Sequence, residues 1–101
     1  MEPDLSFDFE ALLWLYPGKG GWHFVTLPEE IGVAIRVLSG PRAGFGQLPV
    51  MAVIGRKRFR TSLFPDAKSG SYLLPVKADV RRSEGLVAGD PVRVSLTVSP
   101  G

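Results

Sequence analysis

From Ser6 to Leu15 the chain alternates: Phe7, Phe9, Ala11, Leu13 and Leu15 fall on one face and Asp8 and Glu10 on the other, the two-residue period of a strand with one dry side. Leu12 and Trp14 interrupt the polar face, which predicts that the far end of this strand is covered on both sides. Pro17 ends it, the glycines of Tyr16-Pro17-Gly18-Lys19-Gly20-Gly21 turn the chain, and Trp22 to Leu27 reads as the return strand of a hairpin.

The period then changes. Thr26 and Glu29 stand at capping-box spacing with Pro28 in the first turn, and Ile31, Ala34, Ile35 and Leu38 follow as one apolar helical stripe. Gly32 and its β-branched neighbours shorten the expected helix. Ser39 to Gln47 reads as loop. Pro49 to Ile54 and Lys57 to Phe64 form a second hairpin about Gly55-Arg56, with Phe59, Thr61 and Leu63 on one face and Arg58, Arg60 and Ser62 on the other. The turn Pro65 to Gly70 leads to a strand over Ser71 to Leu74. A short helix is predicted over Val76 to Glu84, closed by Gly85 in a left-handed cap, and Val92, Val94, Leu96 and Val98 alternate along a last strand.

Strand, Leu-Pro, short helix, glycine turn and apolar strand thus occur twice, once through Leu27-Pro28 and once through Leu74-Pro75. Two copies of such a unit, each covering the apolar face that the other cannot bury alone, predict a mainly β, six- or seven-stranded barrel with a pseudo-twofold internal repeat and one or two short helices. A chain of 101 residues has room for one such domain, residues 1 to 101.

Composition narrows the chemistry. The absence of cysteine excludes disulfides, thiolate nucleophiles and cysteine-bearing zinc sites. The acidic start MEPDLSFDFE lacks the positive region of a secretion signal, and the longest apolar run, Ala11 to Tyr16, is too short to cross a bilayer, so no membrane association and a soluble, cytoplasmic protein are expected. The net charge of +2 is unevenly spread: residues 1 to 30 hold six acids against Lys19, and residues 56 to 82 hold eight bases against Asp66 and Asp79. The simplest reading is two oppositely charged strands lying near one another; a basic docking face is the other.

In the glycine loop, Lys19 is followed by Gly20-Gly21 and an aromatic strand, where a phosphate-binding loop requires Ser or Thr and a helix. The turn reading therefore stands. His23, the sole histidine, has no second histidine or cysteine with which to hold zinc, and on a strand it points away from its neighbours Trp22 and Phe24. No catalytic residue, metal or cofactor is expected. Arg56, Lys57, Arg58 and Arg60 on the second hairpin, with Arg81 and Arg82 on the second helix, are the candidate nucleic-acid or partner-binding residues, since β-ribbons enter major grooves. Trp14, Trp22 and His23 are the candidate ligand surface, in a set of aromatics that includes Tyr16, Phe45 and Tyr72. Packing of Trp14 and Trp22 within the barrel and its hairpin is the simpler expectation for the two indoles.

The segment from Leu74-Pro75 through Arg81-Arg82, Gly85-Leu86 and Gly89-Asp90 to Val94 resembles the swapped-hairpin subunit of the AbrB and MazE antitoxin type. Over more of the chain, Trp22 to Pro28, Phe59 to Pro65, Gly70 to Leu74, Val80-Arg81 and Gly89-Asp90 resemble the small barrels of domain of unknown function nineteen-oh-five. That resemblance implies a double-split β-barrel in which one chain supplies what two subunits supply in the antitoxin type. It implies no activity. The expected function is a non-catalytic binding or accessory module for an unidentified protein or small ligand, monomeric or weakly dimeric. A DNA-binding regulator using hairpin 56 to 60 is the alternative.

Overall fold

The computed structural model describes residues 5–39 and 46–98. Six strands close into a barrel in the order β1-β2-β5-β4-β3-β6, every neighbouring pair antiparallel. The strands are β1 (Leu5–Leu15), β2 (His23–Thr26), β3 (Leu48–Ile54), β4 (Lys57–Asp66), β5 (Ser71–Pro75) and β6 (Pro91–Val98), with helices α1 (Glu29–Ser39) and α2 (Ala78–Glu84). The alternation read from the sequence is the burial pattern of β6, where Val92, Val94, Leu96 and Val98 face inward, and of β3, where Leu48, Val50, Ala52 and Ile54 do. Each valine, leucine or isoleucine among them, once fully buried, stabilises the fold by about 1.5–3 kcal/mol.

Two long strands make closure possible. β1 pairs with β6 through Leu12 and then with β2 over Leu13–Leu15, while β4 pairs with β3 through Leu63 and then with β5 over Phe64–Asp66. Each strand belongs to both halves of the barrel wall. Exchanging β1-β2-α1-β3 for β4-β5-α2-β6 leaves the list of pairings unchanged, because β2 with β5 and β3 with β6 map onto themselves. The two Leu-Pro units meet at that centre: Leu27 N–H donates to Tyr72 O, and Val76 N–H donates to His23 O. Leu27, Leu74 and Val76 are all buried there.

Several local expectations give way. β2 is shorter than Trp22 to Leu27, and Thr26 is not a helix cap. It pairs with Leu73 in the ladder and its hydroxyl accepts from Trp14, so the first turn of α1 folds instead on the carbonyl of Pro28, which accepts from Ile31 and Gly32. Pro65 and Asp66 extend β4, and the turn is held by Gly70 N–H on Asp66 O and by Ser69 N–H on the Asp66 carboxylate. Val76 extends the β2–β5 ladder, and α2 begins two residues later. Gly85 ends α2 in the left-handed region as expected.

Gly32 has a role that composition hides. A Cβ there would overlap the Ser71 hydroxyl, so glycine lets α1 lie directly on β5. Ile35, one turn on, is fully buried, but Leu38 is exposed, contrary to the expected stripe: of α1 only Gly32 and Ile35 are buried. Arg36 marks the crossing by donating to Gly70 O.

The charged strands are not neighbours. On the outer face Arg58 lies opposite Val53, Val53 opposite Ser95 and Ser95 opposite Asp8, so β3 and β6 separate the acidic strand from the basic one. Three strand spacings put them about 14 Å apart, beyond an ion pair. Asp8 takes its hydrogen bond from Ser95 instead. The predicted loop over Ser39 to Gln47 falls largely outside the described residues, as do Phe45, Glu2 and Asp4. Among the described residues no helix is long and apolar enough to cross a membrane.

Candidate ligand-binding face

The inward positions of the first hairpin are taken by Leu13 and Val25, which stand opposite one another in the core. Their neighbours Trp14 and Phe24, also opposite one another, must therefore point out of the barrel. Tyr16 N–H donates to Trp22 O, which prolongs the hairpin by one pair and sets Tyr16 and Trp22 on the same outer side. An aromatic cluster results. Trp14 and Phe24 have centroids 5.4 Å apart, Tyr16 meets Phe24 edge-on at 6.1 Å, and Trp22 lies parallel to Phe24 within 8° at 6.2 Å.

The two tryptophans are not equivalent. Trp14 is half-buried and its Nε1–H donates to Thr26 Oγ1 over 3.0 Å, bracing β1 against β2. Trp22 is 52% exposed. Of the expectation that both pack within the barrel and its hairpin, Trp14 meets the hairpin part and Trp22 neither, since Leu13, Val25 and Leu74 already fill the interior at that level and the indoles fall on the opposite parity. Leu12 is likewise uncovered at 61% exposure, so the far end of β1 is not roofed as its sequence predicts.

Trp22 is held by the glycine loop. Gly18, Gly20 and Gly21 all have positive φ, and a Cβ on Gly20 would stand 3.1 Å from both Cδ1 and Nε1 of the indole. Glycine at position 20 thus serves twice, adopting φ +99° and letting the loop lie against the ring edge.

Two grooves open beside that ring. One, of about 240 Å³, lies between Gly20–His23 and the segment Pro75–Ala78 with Arg81. Lys77 and Arg81 give it positive charge, and no carboxylate lines it. Arg81 is fixed there by donating from Nη1 to Val76 O at 2.7 Å. His23 Nδ1 lies 2.8 Å from Gly21 O, and since a carbonyl can only accept, Nδ1 carries the hydrogen and Nε2 keeps the lone pair in the neutral ring. The second groove, about 320 Å³, is walled by Tyr16, Trp22, Phe24 and Phe64 and carries no charged side chain. Trp22 is a wall of both.

The basic residues divide. Arg56 at the turn and Arg58 and Arg60 on the outer face of β4 are exposed. Lys57 lies 3.9 Å from Asp79 of α2, a pair exposed enough to contribute only about 0–1 kcal/mol. Glu84 of the same helix packs over Gly55, so acids flank the turn of the hairpin. Arg82 is exposed on α2, whereas Arg81 belongs to the groove. Of the six bases, Arg81 alone lines that groove.

His23 reaches a backbone carbonyl where a catalytic triad would need a carboxylate. Among the described residues no group of three or more His, Asp or Glu side chains could hold a metal ion. Sequence reasoning grouped Trp22 and His23 with Trp14 but set Arg81 among the hairpin bases, and it passed over Lys77, Phe24 and Phe64 as site residues. Phe24 stands out of phase with the buried face of its own strand, which was a legible signal. Phe64 was not, because only the β4–β5 register brings it to Trp22.

A family model described as Domain of unknown function (DUF1905) matches residues 9–96, from within β1 to within β6. No curated protein matches the chain.

Proposed function

Given that the chain belongs to the family described as Domain of unknown function (DUF1905), a description that assigns no activity, we propose that it is a non-catalytic binding module whose contact surface is centred on Trp22. One observation carries this reading: a half-exposed indole, fixed by a glycine loop, is the common wall of two concavities. Exposed aromatic surface costs solubility and stabilises nothing by itself, so it is kept where something covers it. His23 supports the non-catalytic part, because its Nδ1–H is spent on the loop's own backbone. A cytoplasmic location, a monomer or weak dimer and the absence of a cofactor complete the proposal.

The test is a small-fragment screen read by amide and indole chemical shifts. Binders should map to residues 16–24, Phe64 and 75–81 and be recovered chemically unchanged. Binders spread over other surfaces, or converted by the protein, would overturn the reading.

Regulation through DNA is a second reading, favoured by the exposure of Arg56, Arg58 and Arg60 along one hairpin. The exchange symmetry of the ladders supports a double-split barrel and, with it, kinship to the antitoxin type. Asp79 and Glu84 at the turn work against phosphate contact there. Binding to random duplex DNA that falls steeply with salt would establish this second reading, and no binding at low salt would remove it.

A further inference from the structure

The grooves beside Trp22 differ in chemistry as sharply as two adjacent concavities can. One presents Lys77 and Arg81 with no acid to neutralise them, and the other presents four aromatic walls and no charge. A wholly apolar ligand would leave the first unused, and a bare anion would leave the second. Arg81 is already anchored by Val76 O through one of its five N–H groups, so its guanidinium is positioned before a ligand arrives and keeps further donors. Preorganisation of that kind reduces the ordering cost of binding.

We propose that this face binds a small molecule with an oxyanion group at one end and a planar apolar body at the other, the oxyanion against Lys77 and Arg81 and the planar body on the Trp22, Phe24 and Phe64 side. The proposal rests on the binding-module reading above and adds the ligand class. Carboxylate, sulfonate and phosphate monoester share the chemistry of the head. The planar body follows from Trp22 and Phe24, which are parallel and already stack ring on ring. The two grooves, about 240 and 320 Å³, are sized for one compact molecule, not a macromolecular segment with many contacts.

The experiment uses two probes with the same rings, 8-anilinonaphthalene-1-sulfonate and the uncharged N-phenyl-1-naphthylamine, titrated into the full chain by fluorescence and by chemical shifts. The sulfonate should bind at least about tenfold tighter, roughly 1.4 kcal/mol, and shift Trp22 together with Arg81. Lys77→Glu, at an exposed position, should erase that preference while leaving the uncharged probe unaffected. Trp22→Ala should weaken both probes by about tenfold or more. Circular dichroism of each variant confirms that it is folded. Arg81→Lys, which keeps the charge and loses the fork, should retain part of the preference if Lys77→Glu is misfolded.

Equal affinity for the two probes, or a sulfonate preference that survives Lys77→Glu, overturns the ligand class. If neither probe shifts Trp22 while unrelated fragments do, the class fails and the module reading stands. If nothing shifts Trp22, both fail.

Discussion

Two hairpins turn on glycine in this barrel. Between β3 and β4, Gly55 at φ +60° and Arg56 complete a two-residue turn, and the outer face of β4 carries Arg58 and Arg60, which water solvates. Between β1 and β2 the chain takes a longer path through Gly18, Gly20 and Gly21, and the outer face carries Trp14, Tyr16, Phe24 and Trp22, which water does not solvate well. Both hairpins bury one side by the same alternation. What differs is the side that the core leaves alone: solvation accounts for the charged face, and the aromatic face is the one proposed above as the contact surface.

The largest effect should come from the tighter turn. Gly55→Ala forces an L side chain into a positive φ and onto Glu84, and should cost about 1–3 kcal/mol in denaturant unfolding. The same change in the longer loop should do less to stability and more to binding. Gly20→Ala should cost about 1 kcal/mol, yet displace the indole it touches and weaken any ligand held at Trp22, which calorimetric titration would show. A matching loss of stability with unchanged affinity would erase the distinction between the two turns.

Within the aromatic hairpin the two indoles sharpen the comparison. Trp14→Phe removes the bond to Thr26 and should cost about 0.5–1.5 kcal/mol by thermal unfolding, with ligand affinity retained. The smallest effect belongs to the solvated face: Arg58→Ala with Arg60→Ala should change stability by no more than about 0.5 kcal/mol. A loss well above that would mean that the basic face is structural.

Much of the barrel was legible because strand burial follows parity. Phe9 and Leu13 in β1, the inward residues of β6 and the cap at Gly85 all lie where alternation and turn chemistry put them. Parity also misled. Leu12 and Trp14 on a polar face suggested a second covering layer, whereas one is exposed and the other leans on its own hairpin, and no local pattern distinguishes an apolar face covered by the fold from one left open. Gly32 looked like a weak point of a helix, because the close approach of Ser71 is a tertiary fact. The site itself was half visible. Trp22 and His23 adjoin in sequence, but Lys77 and Arg81 reach them only through the β2–β5 pairing that sets the start of α2 beside the glycine loop.

The most direct measurement is solvent exchange of the two indole N–H groups in the free protein, resolved as separate nitrogen–proton signals. The Trp22 hydrogen should exchange nearly as fast as in an unfolded peptide, and the Trp14 hydrogen should be strongly protected by its bond to Thr26. Equal protection of both, or slower exchange at Trp22, would contradict this division between the two indoles.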